Sequence, residues 1–184
     1  NRNLKNIFLL STTLHFFYAV AVIYMPLYLY STIGFSWANI GLLLLLANIP
    51  FLVLGYPVGK IADEYIGEKE MMMTGLVIAA LGVLGFILSD STSIVSWAVI
   101  LIISRIGISI LETTTESYFF KKMEQDDDEI ISIQRNAIPL AYLMVPALAF
   151  GINLFSPDYR ILFAIVIMVL LLALYPASQL EDTK

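Results

Sequence analysis

Hydrophobic residues in this chain fall in long blocks, and clusters of polar and turn-forming residues cut those blocks into six. The apolar runs cover roughly residues 6–30, 37–60, 70–89, 94–120, 129–155 and 159–177. The breaks between them are short: Ser31 to Ser36, the charged stretch Lys60 to Glu70, Ser89 to Ser93, Lys121 to Glu129, and Ser156-Pro157-Asp158. A helix needs roughly 20 apolar residues to cross a hydrocarbon core, so each run predicts one spanning helix. A barrel strand alternates polar and apolar residues, which the unbroken leucines from Leu42 to Leu46 do not. The pattern therefore predicts an all-α membrane protein, with residues 1–184 as a single six-helix transmembrane domain. Pro26, Pro50, Pro57, Pro139 and Pro146 lie inside the runs and mark predicted kinks. Gly55 with Gly59, and Gly82 with Gly85, predict faces for close helix packing.

Composition agrees with lipid as the solvent. Of 184 residues, 59% are hydrophobic and 14% charged, against about 25% charged in an ordinary soluble domain. The first run is too long for a signal peptide and has no small-residue cleavage site before the second. There is no cysteine, which excludes disulfides, thiolate metal sites and cysteine nucleophiles. The net charge of −5 lacks the basic face that nucleic-acid binding requires. The chain opens on Asn1 rather than Met, as expected of a fragment or a trimmed protein.

Basic residues set the expected orientation. Arg2, Lys5, Lys60, Lys69, Lys121, Lys122 and Lys184 fall on one side of the membrane, and Arg160 on the other. Basic residues near span ends resist translocation, so both termini are expected in the cytoplasm.

Enzyme motifs are missing. The one histidine, His15, is not part of an H-E-x-x-H pair, and neither a G-x-S-x-G elbow nor a Walker-type glycine loop occurs. No enzyme, cofactor or metal is predicted. The acidic run Gln125 to Glu129 lacks the spacing and glycine of a calcium loop and is expected to be a solvated loop at a helix start.

What remains is a set of charges inside the apolar runs, each costing about 2.5–3.5 kcal/mol at a helix centre. The fourth run carries Arg105, Glu112 and Glu116. At about 100° per residue, Glu112 and Glu116 fall within roughly 20° of Arg105, so the three share a stripe. Two readings stand: Arg105 and Glu112 satisfy each other or neighbouring carbonyls, or the stripe faces a water-filled path. His15 and Tyr18 in the first run, Asn48 in the second and Arg135 in the fifth complete the candidate substrate or proton pathway. Arg135 is expected to approach Glu116 in depth, because the fourth and fifth runs form an antiparallel hairpin.

The segment Gly59-Lys60-Ile61-Ala62-Asp63-Glu64-Tyr65-Ile66-Gly67-Glu68-Lys69 resembles the signature loop of the major facilitator superfamily. That loop has a glycine, an aspartate four residues on, a basic residue, then a glycine followed by basic residues. Gly59, Asp63, Gly67 and Lys69 match it, while Glu64 and Glu68 stand where the family usually has arginine. Arg105 followed by Gly107 is similar to the family's arginine-glycine motif of the fourth helix, whose arginine is associated with proton coupling. Val145-Pro146-Ala147-Leu148-Ala149-Phe150-Gly151 is similar to the proline-glycine motif of its antiporters.

The resemblance implies a half-transporter bundle, one six-helix half of a twelve-helix secondary transporter. The degenerate loop and the tail after residue 178 favour the second half. It implies movement of a small-molecule substrate, with protons as possible partners, by alternating access in the cytoplasmic membrane. Gly59, Asp63, Gly67 and Lys69 would be the gating loop, and a second half would come from the same gene or a homodimer. The competing expectation is a non-transporting six-helix scaffold or receptor-like protein whose buried charges only specify packing.

Overall fold

The computed structural model describes residues 2–122, 135–156 and 158–181, and among them every regular element is helical. Six helices are long and apolar enough to cross a membrane: α1 Arg2–Ser31, α2 Trp37–Ile66, α3 Glu68–Leu88, α4 Ile94–Lys122, α5 Ala137–Phe155 and α6 Tyr159–Ser178. Each overlaps one of the six apolar runs, and α2 continues to Ile66, through the start of the charged stretch expected as a break. The expected start of the fifth run at residue 129, the acidic run 125–129 and Lys184 lie outside the described residues.

Three helix irregularities follow from local sequence. Pro26 has no N–H to donate, and just before it α1 widens into a π turn, Val20–Tyr24, where Met25 N–H reaches Val20 O. In α2 the helix breaks at Asn48, ahead of Pro50, and restarts at Ile49. There the Asn48 side-chain amide donates to Leu44 O at 2.7 Å, replacing a backbone bond the break removes. The end of α2 is a second π turn, Ala62–Ile66, closed by Gly67 N–H on Ala62 O at 2.9 Å. Gly67 has φ +106°, a conformation open to glycine and strained for other residues.

The tightest helix pair is α3 against α4, and its seam is made of glycines. A Cβ at Gly82 would lie 2.4 Å from Ser104 Cα, and one at Gly107 2.2 Å from Ala79 N. Gly85 meets Ile100 on the same seam. The expected packing face at Gly55 and Gly59 does not form. A Cβ at Gly55 meets nothing within 4 Å, and one at Gly59 only Thr113 Cγ2 at 3.9 Å. The reason is that α2 meets α4 through other positions, among them Val58 against Ile110, and turns much of its remaining surface outward, with Leu52 89% and Tyr56 82% exposed.

Helix α4 is the centre of the bundle, touching α1, α2 and α3, while α6 packs on α3 and α5 on α1. At the end away from Arg2, Tyr28, Phe86, Trp97 and Phe163 interlock with ring centroids 5.1–6.2 Å apart. Trp97 Nε1–H donates to Ser91 O at 2.7 Å, and Arg160 pairs with Asp90, fastening α6 to the turn before α4. At the opposite end Tyr118 donates to Glu181 O at 3.1 Å and Lys122 to the Glu181 carboxylate at 3.3 Å. The side chain of Asn3, and then Lys122, hold that carboxyl below its ordinary range.

Candidate functional site

Arg105 lies midway along α4 and is 5% exposed. Its guanidinium carbon is 5.4 Å from the ring centroid of Phe17, 5.9 Å from Tyr18 and 6.0 Å from Phe51. Three π-faces, two from α1 and one from α2, thus surround a cation in the low-dielectric interior, where such attraction is strongest. Among the described residues Arg105 Nε has no hydrogen-bond partner. The sequence reading singled out Tyr18 but not Phe17 or Phe51, because an aromatic residue in an apolar run carries no signal of its own.

Two turns further along α4, Glu112 is half-buried and accepts a hydrogen bond from the Tyr18 hydroxyl at 2.9 Å. Tyr18 therefore touches two of the three residues of the stripe, its ring toward Arg105 and its hydroxyl toward Glu112. One turn earlier on α1, His15 Nδ1 is 2.7 Å from Ser11 O. A carbonyl only accepts, so Nδ1 carries the proton and Nε2 of the neutral ring is the acceptor.

Glu112 and His15, though not Tyr18 or Arg105, border a cavity of about 300 Å³ between α1, the latter part of α4 and the start of α5. His15, Glu112, Thr115, Glu116 and Arg135 line it. Arg135 and Glu116, expected to meet in depth, share its wall, and both are exposed. Asn48 is elsewhere: it lies on an outer groove with Leu45 and Leu52, its amide committed to the α2 break. Among the described residues no group of three or more histidine or carboxylate side chains gathers as a metal site.

The loop between α2 and α3 holds a second charged cluster. Asp63, on the π turn, pairs with Lys121 of α4 at 2.6 Å. Lys121 also pairs with Glu68, which is 1% exposed and accepts from Ser117 Oγ at 3.4 Å. Glu68, one of the acids in an arginine position, is thus held by a lysine from α4. Gly67 supplies the positive φ between them, Gly59 lies one turn before Asp63, and Lys69 is half-buried at the start of α3.

Residues 2–127 match the family model of the Major Facilitator Superfamily, and the chain belongs to that family. The six spanning helices fit one six-helix half of its fold. Members move small solutes across membranes, so the chain is an integral, multi-pass protein of membrane transport and not of an enzyme family. A comparison with curated proteins returns no match.

Proposed function

We propose that this chain forms one half of a secondary transporter that carries a small solute by alternating access and couples that movement to protons. The observation that carries the reading is the 2.9 Å hydrogen bond from Tyr18 to Glu112 at the head of the cavity. A carboxylate held within a spanning helix is costly unless it serves a path, and this one adjoins water-sized space. Glu116 and the Nε2 of His15 border the same space, and together with Glu112 they form a short relay for protons. Arg105, locked among rings, supplies a fixed positive potential above it.

The second half comes from the same polypeptide or from a second copy of it, related by an axis along the membrane normal as in parallel repeats. Both termini face the cytoplasm, which puts the cavity and the Asp63–Lys121–Glu68 cluster on the inner side of the cytoplasmic membrane. Gly59, Asp63, Gly67 and Lys69 then form a gate whose ion pairs differ between access states.

Residues 1–184 contain no cysteine, so a single replacement adds the one thiol of this half. In membrane vesicles, Glu112→Cys and Glu116→Cys are expected to react with a membrane-impermeant maleimide from the cytoplasmic face. Absence of labelling from both faces would return the charges to a packing role in a non-transporting scaffold.

A further inference from the structure

The chemical class of the solute follows from the cavity wall, given the transport reading above. Glu112 and Glu116 project from α4 one turn apart, His15 faces them from α1, and Arg135 from just before α5. His15 engages Ser11 through Nδ1–H, and Arg135 is exposed. Among the described residues neither Glu116 nor Arg135 forms an ion pair. The deeper cation, Arg105, is not part of the wall: it points into the cage of Phe17, Tyr18 and Phe51. The hydrogen bond from Tyr18 engages only Oε2 of Glu112. The wall therefore offers two carboxylates with free acceptor capacity.

Thr115 is an independent indication. It is 3% exposed and lines the cavity, and among the described residues its hydroxyl oxygen has no hydrogen-bond partner. Thr12, Thr74 and Thr114 behave otherwise, each returning its hydroxyl to the carbonyl four residues back at 2.7–2.8 Å. An unsatisfied buried hydroxyl costs about 1–3 kcal/mol, and although the Thr115 oxygen is closed off from solvent as it stands, turning the side chain onto a donor bound in the adjoining cavity removes that cost. Leu14, Phe119 and Ile138 supply an apolar side to the same space, and ring faces attract cations.

We propose that this cavity binds an organic cation, its ammonium group held by Glu112, Glu116 and Thr115 and its apolar body against Leu14, Phe119 and Ile138. The N–H donors of an ammonium match three acceptors: the Glu112 oxygen that Tyr18 leaves open, the Glu116 carboxylate and the Thr115 hydroxyl. An anionic solute would meet two carboxylates against one exposed cation, Arg135, which stands at the α5 side of the wall.

Three fluorescent probes test this on the intact protein in nanodiscs: a dansyl group on a five-carbon chain ending in an ammonium, in its N-acetylated form, or in a carboxylate. The ammonium probe is expected to bind roughly ten-fold or more tightly than the acetylated one, as for a charged hydrogen-bonded group. The carboxylate probe should bind weakest. Glu116→Gln, at an exposed position, and the shape-conserving Thr115→Val should each weaken the ammonium probe several-fold and leave the acetylated probe unchanged. Equal binding of the three probes, a preference for the carboxylate, or parallel losses for both probes would overturn the proposal. If Glu116→Cys is labelled from water while the ammonium is not preferred, the solute class falls and the transport reading stands. No labelling from either face sinks both.

Discussion

The phenol of Tyr18 and the carboxylate of Glu112 meet across the α1–α4 interface at 2.9 Å, joining residues 94 positions apart in the chain. The same tyrosine ring lies 5.9 Å from the Arg105 guanidinium carbon, so one side chain bridges a cation and an anion that are too far apart along α4 to touch. At about 1.5 Å per residue, their seven-residue spacing is roughly 10.5 Å.

Tyr18→Phe separates the two halves of that bridge. The ring beside Arg105 is kept while the donor to Glu112 is lost, a bond to a charged group being worth about 1.5–3 kcal/mol. Gradient-driven uptake per folded molecule is expected to fall roughly ten-fold or more, with only a modest drop in thermal stability from the lost bond. Wild-type uptake by a well-expressed Tyr18→Phe protein would reduce the contact to packing.

Glu112→Gln is expected to abolish uptake driven by a proton gradient while substrate binding persists, whereas Arg105→Ala should impair both. Unchanged gradient-driven uptake in Glu112→Gln would move the proton role to Glu116 or His15.

The glycine seam predicts a contrast in stability. Gly82→Ala and Gly107→Ala drive a methyl into backbone of the facing helix, and overpacking of this kind costs about 1–3 kcal/mol. Gly55→Ala, with nothing within 4 Å, should be tolerated. Thermal unfolding in detergent measures the difference, and equal melting of Gly55→Ala and Gly82→Ala would contradict the seam.

Lys121 and Lys122 differ in what they leave behind. Lys121→Ala removes the cationic partner of Glu68, whose side chain is 1% exposed and keeps its bond from Ser117, whereas Lys122→Ala removes one of the partners of Glu181, which is 62% exposed. The first should cost about 1–3 kcal/mol, and the second should leave stability nearly unchanged because solvent screens the pair. Glu68→Gln in the Lys121→Ala background should restore part of the loss, and melting temperatures of the single and double variants read it directly.

Asp63→Asn weakens the tie from the α2–α3 loop to α4 while Glu68 keeps Lys121 in place. Insertion should be normal and the balance of access states altered, seen as a changed labelling rate at Glu116→Cys. An unchanged rate would make the loop a simple connector.

The polar stripe on α4 was legible because helical spacing alone places Arg105, Glu112 and Glu116 on one face, whatever surrounds them. What each of them touches was not. Phe17 and Phe51 look like any lipid-facing aromatic until three helices converge on Arg105. Asn48 looked like a polar group in a path, yet its short amide reaches the carbonyl that the break before Pro50 leaves open. Glu68 looked like a departure from a basic pattern, and only the approach of α4 supplies Lys121 to it.

The sequence by itself determined the number, type and approximate limits of the spanning helices, since the length of an apolar run is matched against the thickness of a bilayer and nothing else. It also determined which side of each helix carries charge. The tertiary structure alone decided which helices touch and how closely. That depends on complementary surfaces from distant segments: Gly82 and Gly107 had to find Ser104 and Ala79 across the seam, while Gly55 found nothing. For the same reason the cavity belongs to no single segment, because its walls come from α1, α4 and the start of α5, and space between helices is a property of their packing.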